Sequence, residues 1–534
     1  MQISSTSSAD DPVTHSVIQA ALNATADEMF AVLRKTSMSP IIYEVLDVGT
    51  GITDAFGNLV CSGAGIPTFV GVLDKAVKRL IEIHGDTILD GDIFLTNDPY
   101  FGGVTHLSDM VVALPVFFDG ELIAWTASIA HWSDIGGMTP GSMASNASEI
   151  FQEGLRIPAV RVFSSNKPIK PVIELISVNS RQPNVSRGDL YAQIAASQRG
   201  AERITKLLQR YGLPPWNAAL KDAYAIGEKR AKKGLASLPP GKWAIEEKQD
   251  DGATWRAEIA IEPDLFEVDL RDNPDQVSAP YNTSRDGAVI AAQMVYKALL
   301  DPERDANAGS FKALKVLTRE GTVFHARSPA PHGYYFETRI RLYDMLWRCA
   351  AKAFSRNLPA GHFGTIGGTV IAGVNPDSGL RFTMVEPQMG GWGATCSRDG
   401  NDAMFSACHG DTFNCPAEIA EARYGIFVDF LKLRDQAGGS GVYRGGRGVH
   451  KRYTVRSPCI LAVGFSKVEM PTWGSEGGEN GGKNEVAVIQ MGTPHKLSFA
   501  SGLTLNTGDQ LEIKTAGGGG WGRSDRNQSK PLET

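Results

Sequence analysis

The chain has 534 residues, of which 42% are hydrophobic and 21% charged, and these ordinary globular values exclude a largely disordered protein. A formal net charge of −6 excludes a basic surface that would hold nucleic acid or an anionic membrane. The chain has neither a signal-peptide pattern nor a run of about 18 apolar residues, so we expect a soluble cytoplasmic protein. Its cysteines form no C-x-x-C pair, so we expect no disulfides.

The first part of the chain predicts a helix followed by a sheet. Hydrophobic periodicity and turn residues define these elements, in chain order: a helix at 12–36, β-rich runs at 41–53 and 58–62, a helix at 73–84, a strand at 93–95, and a hairpin made of 110–118 and 122–129. We therefore expect residues 40–160 to form one mixed sheet that carries polar groups at its strand ends.

The rest of the chain predicts helices, then a mixed region, then a β-rich and Gly-rich third. Expected elements are helices over 190–235 and 286–300 and strands at 443–455, 459–465 and 485–490. The predicted fold class is mixed α/β (α+β) and multi-domain. The predicted domains are a metal-site region at 1–185, a helical segment at 186–240, a mixed α/β region at 241–360 and a β-rich C-terminal region at 361–534.

Two segments place a histidine three residues before an aspartate, each beside a Gly pair. One holds His106 and Asp109, the other His131 and Asp134, and Asp47 on an earlier predicted strand could add an oxygen. Imidazole nitrogens with carboxylate oxygens suit Zn, Mn or Fe(II) and leave positions for water. The spacing alone also allows histidines that cap strand ends and aspartates in turns. A shared metal site requires the two segments to converge in space.

Long ordered motifs extend over nearly the whole chain. They are Asn97-Asp-Pro-Tyr100, Gly102-Gly-Val-Thr-His-Leu-Ser-Asp109, His131-x-x-Asp-Ile-Gly-Gly137, Glu149-Ile-Phe-Gln-Glu-Gly-Leu-Arg-Ile-Pro158, Asn414-Cys-Pro-Ala-Glu418 and Gly517-Gly-Gly-Gly-Trp-Gly522. Through these motifs the chain resembles the hydantoinase B / oxoprolinase / acetone carboxylase family. The resemblance implies a B-type subunit that works with a separate ATP-binding, hydantoinase A-like subunit, in a heterodimer or a dimer of heterodimers.

The resemblance also implies a division of the chemistry between the two subunits. The A-type subunit would bind ATP and phosphorylate a small-molecule substrate, and this chain would bind a divalent metal (Zn, Mn or Fe) through His106, Asp109 and His131, with Asp47 as a fourth ligand. The chain lacks a G-x-x-x-x-G-K-[ST] loop, in agreement with ATP being bound by the partner. Asp134 is a further expected catalytic residue. Three carboxylates would support the ligands, bind a second metal, or be turn and capping residues: Asp134, Asp98 and Glu149.

Three functions follow as expectations. The first is ATP-dependent ring opening of a cyclic amide such as a hydantoin, oxoproline or lactam. The second is biotin-independent ketone carboxylation of the acetone or acetophenone type; the chain is shorter than the large acetone carboxylase subunits, which favours hydrolysis. The third is a non-catalytic scaffold with a structural metal, and open oxygen and nitrogen donors argue against it because structural zinc sites are usually closed and thiolate-rich.

The sequence departs from the common family pattern at two places. Ile41–Val45 stands where many members read Asn-Ile-Lys-Glu-Arg, and Trp132 stands where many have a second histidine. Both changes make the neighbourhood more apolar and affect the expected substrate. His409 is expected either to reach the active site or the partner or, as the favoured alternative, to be a hydrogen-bonded loop histidine. Three other residues in family-like segments are expected to be structural: Cys408, Glu386 and Trp392.

Overall fold

The structure, a computed structural model, describes residues 11–100, 102–410 and 412–524. Its α-helices, in chain order, are α1 (Pro12–Thr36), α2 (Pro40–Tyr43), α3 (Pro67–His84), α4 (Lys170–Val178), α5 (Pro183–Tyr211), α6 (Leu213–Ala236), α7 (Arg285–Leu300), α8 (Tyr335–Phe354) and α9 (Ala417–Arg423). The strands of the first half are β1 (Val48–Asp54), β2 (Leu59–Gly65), β3 (Ile93–Thr96), β4 (Asp109–Phe118), β5 (Glu121–His131), β6 (Val160–Ser164), β7 (Lys167–Pro168), β8 (Gly241–Lys248), β9 (Thr254–Glu262) and β10 (Leu265–Asp269). Those of the second half are β11 (Leu314–Leu317), β12 (Gly368–Val374), β13 (Arg381–Glu386), β14 (Ile426–Leu433), β15 (Val449–Val455), β16 (Cys459–Gly464), β17 (Glu485–Gln490), β18 (Thr493–Leu497), β19 (Phe499–Leu505) and β20 (Gln510–Lys514).

The first sheet has the strand order β2-β1-β5-β4-β3-β6-β7. Helices α1 and α5 pack on one face and α3 on the other. Successive side chains of a strand point to opposite faces, so β4 contributes Met110 and Val112 to one core and Val111 and Ala113 to the other. The predicted sheet is confirmed, but all its strand pairs are antiparallel, so the expectation of a mixed sheet was wrong.

Three parts of the predicted element pattern differ from the structure. Residues 40–43 form the short helix α2 instead of the start of a strand, because Pro40 at its first position presets a helical φ. Helix α3 begins at Pro67, six residues before its predicted start at 73. Helix α8 was not predicted, although its charged residues recur at helical spacing, as in Glu337, Arg341 and Asp344.

The middle of the chain forms a second sheet with the order β11-β10-β9-β8. Its β10 and β11 are parallel, while the other pairs are antiparallel. Helix α8 packs against β8, β9 and α7. This packing fixes the N-terminal end of α8 next to the first sheet, where Tyr335 contacts Asp109.

The last third contains two antiparallel sheets, with the orders β13-β12-β16-β19 and β14-β15-β20-β17-β18, and confirms the predicted β-rich region. They share a core of residues such as Leu461, Tyr453 and Leu511. Gly-rich loops pack backbone to backbone beside them: Gly518 donates to the Gly446 carbonyl at 2.9 Å, and a Cβ on Gly518 would overlap the Trp392 carbonyl. None of the described helices combines the length and apolar character needed to cross a bilayer. The predicted domain boundaries stay predictions.

Candidate metal centre

Three adjacent strands of the first sheet meet at one place: β4 and β1 begin there, and β5 ends there. Asp109 opens β4 and pairs directly opposite His131, the last residue of β5. On the other side of β5, the backbone N–H of His131 donates to the Asp47 carbonyl at 3.0 Å, just before β1 begins. Paired residues across a sheet share a face, so Asp109 and His131 point to the α3 side together. Sheet register therefore brings the two distant motifs to one place.

His106 joins this group through a tight turn. The N–H of Asp109 donates to the His106 carbonyl at 3.1 Å, which folds the H-x-x-D segment back on itself. The His106 Nε2 then lies 3.3 Å from Asp109 Oδ1. One potential ligand atom from each of His106, Asp109 and His131 lies within 4.8 Å of the others. The three side chains are at most 4% exposed.

Neighbouring groups hold His106 and Asp109 in one orientation. His106 Nδ1 lies 3.1 Å from the Gly333 carbonyl, which can only accept, so Nδ1 carries a proton and Nε2 is the nitrogen that faces Asp109 and can bind a metal. Asp109 Oδ2 accepts from the Thr105 hydroxyl and from the Tyr335 hydroxyl, the latter at 3.3 Å. Asp109 therefore presents its other oxygen, Oδ1, toward the histidines.

Glu153 in turn fixes the backbone that orients His106. Its two carboxylate oxygens accept the N–H of Gly333 at 2.6 Å and the N–H of His332 at 2.9 Å. Burial raises the pKa of Glu153 to about 7, although these two N–H donors oppose the shift. Glu153 lies within a family motif, but neither it nor its loop contact was predicted from sequence.

Burial dominates the electrostatics of the cluster. It lowers the pKa of His131 to about 4, with help from the charge of His106, so His131 is neutral near pH 7 as a metal ligand must be. Burial would also lower the pKa of His106, but the Asp109 carboxylate outweighs it and raises that pKa. The pKa of Asp109 is lowered despite burial, chiefly by His106. Burial, then the Asp109 charge, raises the pKa of Asp47 well above its usual range.

The cluster opens into a cavity of about 40 Å³. Asp47, His106, Asp109 and His131 all line it, and apolar side chains such as Phe69 form other parts of the wall. A larger groove of about 1240 Å³ lies elsewhere, between the second sheet and the C-terminal sheets, and none of the predicted site residues lines it. The small cavity is therefore the place where the predicted chemistry converges.

The donor set fits a divalent cation. His131 Nδ1 and Asp47 Oδ1 are buried without a hydrogen-bond partner among the described residues, a costly state for polar atoms unless a ligand completes it. Two imidazoles with one or two carboxylates are the donors that Zn, Mn or Fe(II) prefers. The cluster contains no thiolate, and the adjoining cavity leaves room for water.

Other predicted residues lie in hydrogen-bonded loops. Asp134 accepts the N–H groups of Gly136, Gly141 and Arg181 at 2.9–3.0 Å and pairs with the Arg181 guanidinium at 3.0 Å. Asp98 accepts the N–H of Tyr100 at 3.0 Å and lies 3.5 Å from Arg156 Nε. Glu149 is exposed and caps the short helical turn at 150–152. These contacts agree with the turn and capping alternative, and neither Asp134 nor Asp98 lines the cavity.

His409 agrees with the less favoured of its two expected roles. It lines the cavity, and its buried Nε2 has no partner in the part of the chain that the structure describes. Burial lowers its pKa to about 3. Arg339 also lines the cavity and was not predicted from sequence, because helix α8 was not. The expected structural residues Cys408, Glu386 and Trp392 are buried or half-buried and hydrogen-bonded.

Comparison with known proteins identifies the family. A sequence model described as Hydantoinase B/oxoprolinase matches residues 11–524. The chain belongs to the hydantoinase B/oxoprolinase family. The caprolactamase subunit beta of Pseudomonas jessenii is 29% identical over 542 residues, covering 98% of this chain and 92% of the relative. The family predicted from the motifs is thereby confirmed.

Two solved structures share the fold. The ATP-dependent caprolactamase from Pseudomonas jessenii matches with a TM-score of 0.88 at 26% identity, covering 97% of this chain and 92% of that chain. A nucleotide-free acetone carboxylase matches with a TM-score of 0.89 at 18% identity, covering 97% of this chain and 77% of that chain. The predicted mixed α/β, multi-domain fold is confirmed. At 18% identity the second likeness concerns the fold alone.

Proposed function

We propose that this chain is the metal-binding catalytic subunit of an ATP-dependent cyclic amide hydrolase that acts with an ATP-binding A-type subunit. The observation that carries the proposal is the buried His106, Asp109 and His131 cluster, with Asp47 beside it, opening into a cavity. The substrate is a hydantoin, oxoproline or lactam. The similarity to a protein named caprolactamase subunit beta supports both the reaction class and the need for a partner subunit.

The division of labour follows from amide chemistry. Resonance makes an amide carbonyl a poor target for water, and phosphorylation of its oxygen by the partner removes that resonance. Water then adds to the activated carbon, and the C–N bond of the ring breaks as the nitrogen takes up a proton. A second water hydrolyses the resulting acyl phosphate to inorganic phosphate and the open-chain carboxylate. A divalent cation held by His106, Asp109 and His131 supplies Lewis acidity, lowering the pKa of a water or polarising the reacting group.

The residues of this chain prepare the site for that step. Gly333 and Thr105 hold His106 and Asp109 with one free donor atom each, which reduces the reorganisation that binding requires. Phe69 and Phe336 in the cavity wall limit bulk water around the reacting group. Asp47 Oδ1 is free to complete the ligand set or to hold a proton of the attacking water.

Ketone carboxylation is the main rival, because the same donors could serve it and the acetone carboxylase fold is shared. The higher identity to the caprolactamase, 26% against 18%, and its fuller coverage support hydrolysis. A scaffold role is disfavoured because the cluster adjoins a cavity instead of being closed by protein ligands.

The test is elemental analysis combined with an assay in the presence of the A-type subunit and ATP. We expect about one equivalent of Zn, Mn or Fe, lost in His106→Ala/His131→Ala and kept in His495→Ala, a matched exposed histidine on β18. ATP-dependent ring opening by the wild-type complex would support the proposal. Bicarbonate fixation without ring opening would instead support the carboxylase, and full activity after metal removal would contradict both.

A further inference from the structure

Arg339 is a buried cation with two donor nitrogens that have no partner within the described residues. It is 1% exposed and lines the cavity. Its Nε and Nη1 have no hydrogen-bond partner within 11–100, 102–410 and 412–524. Its Cζ lies 5.2 Å from the centre of the Tyr335 ring, one helical turn earlier. Unpaired buried guanidinium donors are costly, so their persistence points to a ligand that pairs with them.

Two other arginines of the same helix pair with a carboxylate of β8. Arg341 Nη2 lies 3.3 Å from Glu247 Oε1, and Arg348 Nη1 lies 3.3 Å from Glu247 Oε2. Arg341 is also buried and its Nε has no partner among the described residues, but this carboxylate compensates its charge. Arg339 forms no ion pair within the described residues, and its unpartnered donors belong to a side chain that lines the cavity.

The surroundings of Arg339 favour an anion once a metal is present. Helix α8 begins at Tyr335, so its N-terminal dipole adds positive potential near Arg339. His409 Nε2, also without a partner in the described residues, lines the same cavity. A divalent cation would offset the two carboxylates of Asp47 and Asp109, and Lys451 already pairs with Glu386, the third carboxylate that lines the cavity. The charge of Arg339 would then stay uncompensated, so the loaded cavity would be net cationic.

We propose that Arg339, together with His409, forms a subsite that binds the phosphoryl group of the activated substrate beside the metal ligands. The inference rests on the proposed function, in which the A-type subunit delivers an O-phosphorylated substrate. The planar fork of a guanidinium matches the oxygens of a phosphate, and charge-assisted hydrogen bonds are the strong ones. The subsite positions the substrate by binding and takes part in no covalent step.

The test uses inorganic phosphate as the probe and the full chain as the protein. Isothermal titration calorimetry would measure phosphate affinity of the metal-loaded and the metal-stripped chain. We expect Arg339→Gln to weaken phosphate binding by at least about tenfold, with Arg339→Lys intermediate because lysine keeps the charge but not the fork. Arg348→Gln removes a guanidinium from the same helix outside the cavity and should leave the affinity unchanged.

Each outcome decides one of the two proposals. Metal content measured on the same samples separates them: a metal-free wild-type chain contradicts the proposed function, while Arg339-dependent phosphate binding by the stripped chain would still support the subsite. Wild-type affinity in Arg339→Gln, or no binding by the wild type, overturns the subsite. The phosphoryl proposal is also overturned if acetate binds as tightly as phosphate and depends on Arg339 in the same way. The subsite would then bind carboxylates. If Arg339→Gln does not fold, unchanged affinity in Arg339→Lys overturns the proposal.

Discussion

The cavity is lined by two groups of polar side chains that the protein treats differently. In the sheet-derived group, Asp109 with the two histidines, neighbours hold the non-ligating atoms of Asp109 and His106, as Thr105 holds Asp109 Oδ2. The helix-derived Arg339 has two donors, Nε and Nη1, with no described protein partner. Holding one atom of a side chain and leaving another free suits a cation that needs a defined geometry. Leaving Nε and Nη1 both free suits an anion that arrives with the substrate.

The same comparison explains the two H-x-x-D segments. In the first, a turn before β4 places His106 and Asp109 side by side. In the second, His131 ends β5 inside the cluster, but Asp134 lies beyond the strand and accepts backbone N–H groups of its own loop. Identical spacing therefore gives different environments, because the position relative to the strand end decides where a side chain points.

The largest expected effect comes from removing the sheet-derived ligands. His106→Ala should abolish metal binding and reduce turnover of the complex by about a thousandfold or more, since metal stabilisation is worth several kcal/mol. Metal analysis and ATP-dependent ring opening would measure both losses. If His106→Ala keeps its metal and its turnover rate, the sheet-derived group does not hold the catalytic metal.

Removing the helix-derived cation should separate turnover from metal binding. Arg339→Gln is expected to keep the wild-type metal content while turnover falls about a hundredfold. Losses of about this size occur when one preorganised hydrogen-bond donor to an anion is removed. Arg339→Lys should recover part of the rate. Loss of metal in Arg339→Gln would mean that Arg339 supports the ligands and that the two groups form one unit.

Glu153 should act on the sheet-derived group from outside it. Glu153→Gln loosens the Gly333 backbone that orients His106, and we expect about 10–100-fold weaker metal affinity with the fold retained. Competition with a chelator would measure this. Glu149→Gln, an exposed cap in the same motif, is the matched control and should bind metal like the wild type.

The smallest expected effect is an acid-dependent loss of stability in the metal-stripped chain. Burial lowers the pKa of His131 and His332 to about 4 and of His409 to about 3, below the ordinary 6.5. As pH falls, these histidines are protonated in the unfolded chain before they are protonated in the folded chain. Their contribution to the free energy of unfolding is therefore complete above pH 6.5 and is lost as pH falls toward the folded-state pKa values. Each should cost about 2 kcal/mol at pH 5.

Glu153 works in the opposite direction over this range, because its raised pKa of about 7 favours the folded chain as pH falls. Urea unfolding at pH 7.5 and pH 5 would measure the net change. His409→Asn, which cannot titrate, should show a smaller loss of stability than the wild type. An equal loss in His409→Asn would show that His409 is not held neutral in the folded chain.

Much of the fold could be predicted from sequence because its signals are local. Helix α1 has the predicted bounds, and the hairpin of β4 and β5 follows from apolar runs around an Asp119-Gly120 turn. The ligand candidates His106 and Asp109 stand close in sequence, and their motifs indicated the family. The convergence of His131 with them depends on strand register, which spacing alone does not contain.

The helix-derived side of the cavity could not be predicted, for physical reasons. Helix α8 has a helical period in its sequence, but the packing against β8, β9 and α7 that turns Arg339 toward the cavity is not contained in that period. His409 lies in a loop whose path is set by packing against α3, where Thr68 donates to the Cys408 carbonyl at 3.0 Å. Both positions depend on contacts between residues far apart in the chain.

The most direct test of the metal centre is a crystal structure of the metal-loaded chain with anomalous diffraction at the absorption edge of the bound element. We expect one anomalous peak bonded to His106 Nε2, Asp109 Oδ1 and a nitrogen of His131, facing the cavity lined by Arg339. A peak at other residues, or none in a chain that supports full turnover with its partner, would contradict the proposed metal centre.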